Sequence, residues 1–118
     1  MKTPVLIFES IPAGTVRQLI EREIKRPAKM DKVLIRFFPG QQNTLTVRPY
    51  IRKTSGAVQE LSMYTGETSF AGDDNDVPFA VDVAIDQYDK VCIEVSNSST
   101  YDYDAYVLFE IEYKGAVG

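Results

Sequence analysis

The sequence feature that most constrains this chain is an alternation of apolar and polar side chains with a period of two, clearest from Asp31 to Ile51. Successive side chains of an extended strand point to opposite faces, so this period is typical of β-structure. Five of the six side chains from Val33 to Phe38 are apolar, and they occupy both faces of the segment. Strands that are apolar on both faces are typically buried on both sides. We therefore predict a strand that is covered on both faces over most of its length.

A second strand is predicted directly after the first. Pro39 and Gly40 end the first strand, because proline lacks an N–H and glycine tolerates a positive φ. The alternation resumes from Leu45 to Ile51, and we interpret the two strands as a β-hairpin. Pro49 cannot donate a hydrogen bond to a neighbouring strand, so we place it at a sheet edge or a bulge.

The rest of the chain repeats this alternation in short segments separated by turn residues. The further predicted strands are Pro4 to Ser10, Ala57 to Tyr64, Phe79 to Ile85, Val91 to Val95 and Ala105 to Tyr113. Seven or eight short strands with turns between them indicate an all-β fold, an antiparallel β-sandwich of the jelly-roll type. The length of 118 residues and the 44% hydrophobic content fit a single domain covering residues 1–118.

The segment from Val16 to Lys25 fits two structures. Its apolar residues have helical spacing, and Glu21 and Lys25 could form an i,i+4 ion pair. The segment is short and lies between strands, so we favour a strand and keep a helix as the alternative. The predicted loops are Arg26 to Lys32, Gly72 to Asp76 and Asn97 to Asp104, and Thr65 to Thr68 is a predicted turn.

The composition excludes most catalytic chemistry. The chain has no histidine, which removes Ser-His-Asp, Cys-His and His-based acid–base or metal chemistry. Its one cysteine, Cys92, forbids an internal disulfide and is interpreted as a packed thiol. Glu110 and Glu112 are about 7 Å apart along one strand face, near the spacing of glycosidase carboxylates, but a solvated strand face has the same pattern. We predict no enzymatic activity and no catalytic residue.

The net charge and the length of the apolar runs limit which partners and which location we expect for this chain. The net charge of −4 argues against general nucleic-acid binding. The unbroken apolar run near the N-terminus extends only from Val5 to Phe8, too short for a signal-peptide core or a membrane span. We therefore expect neither a nucleic-acid nor a membrane partner, and a virion or the cytoplasm is the favoured location.

The charges are divided unevenly along the chain. Residues 1–59 carry a net charge of +7 and residues 60–118 carry −11. Strands from both halves could interleave in one sandwich, so that opposite charges alternate over its surface. Alternatively, one subunit could have a positive and a negative surface suited to head-to-tail self-association. The residues considered for such contacts are Arg22, Lys25, Arg26 and Lys29 on one side and Asp102 and Asp104 on the other.

Three further groups of residues suggest binding sites. Asp73, Asp74 and Asp76 offer oxygen ligands for calcium, the one cofactor considered, although their spacing is not that of an EF-hand and a solvated acidic turn is the simpler interpretation. A second group could stack against a carbohydrate or contact a partner protein: Tyr101, Tyr103 and Tyr106. Asn97-Ser98-Ser99 matches a glycosylation sequon, which we interpret as an ordinary loop.

Nearly the whole chain resembles a known class of module in its pattern of segments. The segments that carry the resemblance are IPAGT, RPAKMDKVLIRFFPG, GDDND and the closing VLFEIEY. They are similar to small jelly-roll or galactose-binding-like modules of phage and virion structural proteins. The resemblance implies an oligomeric building block or attachment module that contacts itself and other assembly proteins. The alternative is a carbohydrate-binding module that uses the loop tyrosines, with or without calcium.

Overall fold

The structure is a computed structural model that describes residues 2–61 and 69–114. Every regular element within these residues is a β-strand, which confirms the all-β prediction. The strands are β1 (Lys2–Ile11), β2 (Gln18–Glu23), β3 (Ala28–Phe37), β4 (Leu45–Arg52), β5 (Val58–Glu60), β6 (Phe70–Ala71), β7 (Asn75–Ile85), β8 (Lys90–Asn97) and β9 (Tyr103–Tyr113). None of the described residues belongs to a helix that could cross a membrane.

The strands form two antiparallel sheets. The first sheet has the order β1-β9-β3-β7, and the second has the order β2-β8-β4, with β5 and β6 both paired to β4. Early and late strands alternate in both sheets, which is the arrangement of a jelly roll and not of a meander. The sandwich prediction is therefore confirmed. The described strands number nine, more than the seven or eight predicted, because β5 and β6 are two short pieces against one strand.

The core lies between the sheets and is built from the inward-facing side chains of each strand. In the first sheet Ile7, Ile35 and Phe109 are fully buried, and in the second sheet Ile51 and Ile93 are fully buried. The alternation in the sequence predicts Ile51, Ile93 and Phe109 as inward-facing, which is confirmed, and it groups Ile7 and Ile35 on one face of their strands without naming the inner one. Period-two patterning therefore specifies which side chains share a face of each strand.

The predicted hairpin between β3 and β4 is wrong, because the two strands belong to different sheets. The chain crosses from one sheet to the other through residues 38–44, with a positive φ at Gln42 and Asn43. Gln41 is buried inside this crossing, where its Oε1 accepts a hydrogen bond from the Phe38 N–H and its Nε2 donates to the Asp104 carbonyl. The crossing is therefore held by a polar side chain in the interior.

Pro49 lies in the middle of β4, which is not an edge strand. It stands opposite Ile93 of β8, and its carbonyl accepts a hydrogen bond from Leu61 N–H on the other side. The N and O of one strand residue point to the same side. The missing N–H of Pro49 therefore faces the side of Leu61 and costs no hydrogen bond to β8, so proline is tolerated there as it would be at an edge.

The structure corrects several predicted boundaries. The segment from Val16 to Lys25 contains strand β2, so the helical alternative is wrong. The charged loop predicted from Arg26 to Lys32 is mostly strand: β3 begins at Ala28, and Ala28 and Met30 point into the core while Lys29 is exposed. A register shift between Met30 and Lys32 interrupts the alternation at this point.

Two predicted loops are shorter than expected. Strand β7 begins at Asn75, so Asp76 is a strand residue and not part of the acidic loop. Asn97 ends β8 and Tyr103 begins β9, which leaves residues 98–102 as the connection. The strand predicted from Ala57 to Tyr64 is seen as β5 alone. Residues 62–64 of it, and the turn predicted from Thr65 to Thr68, lie outside the described residues.

Candidate interaction surface

The solvent-facing side of the first sheet carries a row of apolar residues that crosses all four strands. Leu6 of β1 stands opposite Leu108 of β9, Leu108 stands opposite Leu34 of β3, and Leu34 stands opposite Pro78 of β7. We call these four residues the apolar band. Leu6 keeps 44% of its surface exposed, and Pro78 is also exposed. The band is therefore an apolar strip on the surface of the described part of the chain.

An aromatic cluster lies next to the apolar band, one row toward the end of the sheet where β1 finishes. The Phe8 and Tyr106 ring centroids are 5.6 Å apart, and Phe38 stacks on Phe8 at 6.1 Å. The Arg36 guanidinium lies over the Tyr106 ring at 5.0 Å and pairs with Asp76 at 3.1 Å. Phe8 remains 53% exposed, so the cluster extends the apolar surface and does not bury it.

Charged residues border the apolar band on its other side. Glu110 of β9 stands opposite Lys32 of β3. Together they line two adjoining hollows of about 260 and 320 Å³ on this face. Pro4 and Leu34 also line the first hollow, and Pro78 also lines the second. Asp31 also lines the second hollow, so the surface combines an apolar strip with recesses that contain two acids and one base.

The solvent-facing side of the second sheet has a different character, because its polar groups are paired. Arg48 contacts Glu60 and also lies 2.5 Å from Glu94, which in turn binds Arg17 at 2.9 Å. Hydrogen bonds to Glu60 raise the pKa of Arg48 above its ordinary value. Arg48 also covers the Tyr50 ring at 4.9 Å. Leu19 and Val58 are also exposed on this face, but each stands in a row of charged residues, so the first sheet presents the better candidate for a contact surface.

The three tyrosines predicted as a contact group are separated into two places. Tyr101 and Tyr103 are neighbours with ring centroids 6.5 Å apart, and the Tyr103 hydroxyl donates to the Gly40 carbonyl at 2.7 Å. Tyr106 belongs instead to the aromatic cluster on the outer face of the first sheet. Tyr103 is the first residue of β9, whereas Tyr106 lies further along the same strand, one row from the apolar band. The three tyrosines therefore do not form one group.

The acidic residues predicted as a calcium site engage other partners. Asp73 accepts a hydrogen bond from the Gly40 N–H at 2.8 Å, and Asp76 pairs with Arg36. Asp74 is exposed and has a positive φ. Within residues 2–61 and 69–114 no group of three or more acidic or cysteine side chains could hold a metal ion. This loop can pack closely against the Phe37 ring because residue 72 is a glycine. A Cβ at Gly72 would lie 2.7 Å from that ring.

Ion pairs between the two halves of the chain show how the charges are arranged on the sheets. Seven of the nine described pairs join a base from residues 1–59 to an acid from residues 60–118, among them Lys29 with Asp82 at 3.2 Å. The two remaining pairs, one of them Arg22 with Glu9, lie within the first half. Charges of opposite sign therefore alternate over the sheet faces.

The residues considered for head-to-tail contacts are placed near opposite ends of the sandwich, apart from Arg22 within β2. Asp102 and Asp104 are at the end where Ile11 pairs with Tyr103, and Lys29 is at the other end, opposite Glu112. Lys25 and Arg26 precede β3 at that same end, where Arg26 lies over the Tyr113 ring at 4.5 Å. The long dimension of the molecule is 48 Å, so the two sets cannot meet within one subunit.

Cys92 is fully buried on the outer side of the second sheet. Burial raises its pKa to about 12, and the nearby Glu21 carboxylate, 3.4 Å from the sulfur, acts in the same direction. A thiol with such a pKa is protonated near neutral pH and is a poor nucleophile.

Three buried polar side chains that organise the ends of the sandwich were not identified from the sequence: Gln41, Asp89 and Asn97. Asn97 donates through Nδ2 to the carbonyls of Ile11 and Tyr101, and its Oδ1 accepts from Ser99. The sequon is therefore a structural turn with a buried amide. No signal distinguishes these residues from the exposed polar residues expected in loops.

Comparison with known proteins adds to the description of the fold. No family model matches the sequence, and no curated protein matches it. The fold is similar to a chain in the structure of infectious bursal disease virus, Gx strain, with a TM-score of 0.50 and 9% sequence identity. The similarity covers 99% of this chain and 33% of the viral chain. This chain therefore spans about a third of the viral chain, and the likeness concerns the fold.

Proposed function

We propose that this chain is a non-enzymatic structural protein, an oligomeric β-sandwich building block of a phage or virion-like particle. The observation that carries the proposal is the apolar band with its aromatic cluster, exposed on the outer face of the first sheet. Monomeric proteins rarely expose large contiguous apolar patches, and such patches bordered by polar residues mark contact sites. The patch is bordered by Lys32, Glu110, Arg36 and Asp76.

The fold supports the same conclusion. Double-sheet jelly rolls serve as capsid domains of viruses and as lectin domains, and the likeness to a chain of infectious bursal disease virus agrees with the first use. A building block must contact copies of itself and the other assembly proteins of the particle. The outer face of the first sheet is the surface we assign to self-association.

The test is the mass of the purified protein in solution. We expect a defined oligomer in sedimentation velocity and light scattering between micromolar and millimolar concentration. A protein that is monomeric over this whole range, at low and at physiological salt, would contradict the proposal.

One observation favours a second function. Tyr101 is 69% exposed in the connection between β8 and β9, beside Tyr103 at the start of β9, and exposed aromatic rings are suited to stacking on sugars. A carbohydrate-binding module would bind glycans on an array, and Tyr101→Ala would abolish that binding. Glycan binding by a strictly monomeric protein would favour this function over the building block.

A further inference from the structure

The two central strands of the first sheet carry complementary residues on their outer faces. In the register between β9 and β3, Leu108 stands opposite Leu34, and Tyr106 stands opposite Arg36. Glu110 stands opposite Lys32, and in the next row Glu112 stands opposite Lys29. The acids of these rows are all on β9 and the bases are all on β3. Over these two rows the outward acids of β9 lie beside the outward bases of β3, and Asp31, at the register shift in β3, is a further acid that lines the second hollow.

We propose that the outer face of the first sheet packs against the same face of a second copy, about a twofold axis that runs parallel to the strands between β9 and β3. The proposal rests on the proposed function and names its self-association surface. The axis lays β9 of one subunit over β3 of the other. Each residue of β9 then faces, on the partner, the same β3 residue that it stands beside in its own sheet. Leu108 therefore packs on the partner's Leu34, and Glu110 faces the partner's Lys32.

Charge complementarity selects a second copy as the occupant of this face. The twofold arrangement forms the Glu110–Lys32 contact twice, and it leaves the Arg36–Tyr106 contact and the Arg36–Asp76 pair in place within each subunit. An arrangement that lays β9 over the partner's β9 would instead place Glu110 opposite the partner's Glu110. Like-charge repulsion disfavours that arrangement. An interface of this kind is isologous and closes as a dimer.

The charges needed for these contacts are available. Neither Lys32 nor Glu110 takes part in an ion pair within the described ranges, although the two are neighbours across the sheet. Both line the hollows beside the apolar band, which gives the partner's side chains room to enter. Salt-bridge formation across the interface therefore breaks no existing pair.

The size of the face is sufficient for an interface at the small end of the biological range. Four strands about 4.8 Å apart and about nine residues long, at about 3.3 Å per residue, give a face of roughly 570 Å². Two such faces bury roughly 1,100 Å², which is above the approximately 1,000 Å² expected of a biological interface. Sheets that pack face to face keep their strand directions within about 30° of each other, which suits an axis parallel to the strands.

A second copy on this face would also explain why the predicted covering of both faces of β3 is incomplete in one subunit. The apolar residues on both faces of β3 predict a strand that is covered on both sides, yet Leu34 and Phe38 are only half-buried. A second copy on this face would complete the covering.

The experiment is a charge reversal with rescue between two different variants. Lys32→Glu and Glu110→Lys each place two like-charge pairs in the dimer, so we expect each to weaken self-association by roughly 100-fold. An equimolar mixture of the two variants restores both opposite-charge pairs and should recover the wild-type dimer as a heterodimer. Glu23→Lys, an exposed reversal on β2 of the second sheet, is the matched control and should leave association unchanged.

The readouts are sedimentation velocity for association and thermal unfolding for the fold of each variant. Recovery of the dimer in the mixture requires contact between two subunits, so an effect confined to one chain cannot produce it. Variants that associate as the wild type does, or a mixture that stays monomeric although both proteins are folded, would overturn this arrangement while a wild-type oligomer keeps the proposed function. A wild-type protein that is monomeric throughout would overturn both.

Discussion

Asp89 and Lys53 form an ion pair of 2.5 Å that ties the turn between β7 and β8 to the end of β4. The Asp89 side chain is fully buried, and it also accepts hydrogen bonds from the N–H groups of Thr54 and Asp86. The carboxylate therefore satisfies three donors at one end of the sandwich. This arrangement links two sheets through a single side chain, since β7 belongs to the first sheet and β4 to the second.

Asp89→Asn should destabilise the protein by about 2–4 kcal/mol, because it removes the charge partner of Lys53 and an acceptor of buried donors. Chemical denaturation at neutral pH measures the change. Asp86→Asn is the matched control: Asp86 also contacts Lys53, at 3.3 Å, but its side chain is 76% exposed, so its loss should cost less than about 1 kcal/mol. Equal effects of the two substitutions would contradict the role assigned to Asp89.

The contribution of Asp89 should depend on pH. Burial raises its pKa, but the hydrogen bonds from Lys53 and the two backbone N–H groups outweigh burial and hold the pKa below its ordinary value. A lowered folded-state pKa gives stability that is present above the unfolded-state pKa of about 3.9 and is lost as the pH falls through the folded-state value. The difference in unfolding free energy between wild type and Asp89→Asn should therefore shrink below about pH 4. A difference that grows in acid would have the wrong sign.

Cys92 should be unreactive in the folded protein. Its burial and its pKa of about 12 leave almost no thiolate at about pH 8, and the thiolate is the reactive form. We expect a thiol-specific chromogenic reagent to label the protein only after denaturant is added. Fast, complete labelling of the folded protein would show that the sulfur is accessible.

Calcium should leave the melting temperature unchanged. A ligand that binds the folded state raises the melting temperature by mass action, but Asp76 is already paired with Arg36, and Asp73 accepts from Gly40. The measurement is thermal unfolding with and without millimolar calcium, with Asp74→Asn as the comparison. A calcium-dependent increase that Asp74→Asn removes would instead establish the metal site considered from the sequence.

The sequence predicts the faces of the strands far better than the partners of the strands. The alternation through Val33, Ile35 and Phe37 specifies which side chains point inward, and all three are buried. The same alternation is compatible with a hairpin and with a crossing between sheets, so the pairing of β3 with β4 was predicted wrongly. The deciding contact is made by Gln41, which bonds to Asp104, far away in the sequence.

The candidate surface was only partly predictable, for a related reason. Tyr106 was identified as a contact residue, but Leu6 and Leu108 were not, since they become a band only when β1, β9 and β3 are adjacent. Sequence alternation marks these residues as outward-facing without showing that they line up. The register of non-consecutive strands is long-range information, and no local pattern contains it.

Self-association through the apolar band is tested most directly by comparing one leucine on each sheet. Leu6→Lys introduces a charge into the apolar band, while Leu19→Lys makes the same change on β2, at the edge of the second sheet. The two leucines are matched in exposure, at 44% and 40%. Light scattering coupled to size-exclusion chromatography, at a concentration where the wild type is oligomeric, gives the masses. We predict that Leu6→Lys is monomeric and Leu19→Lys keeps the wild-type mass; a folded Leu6→Lys with the wild-type mass, or a wild type that is itself monomeric, would contradict the account.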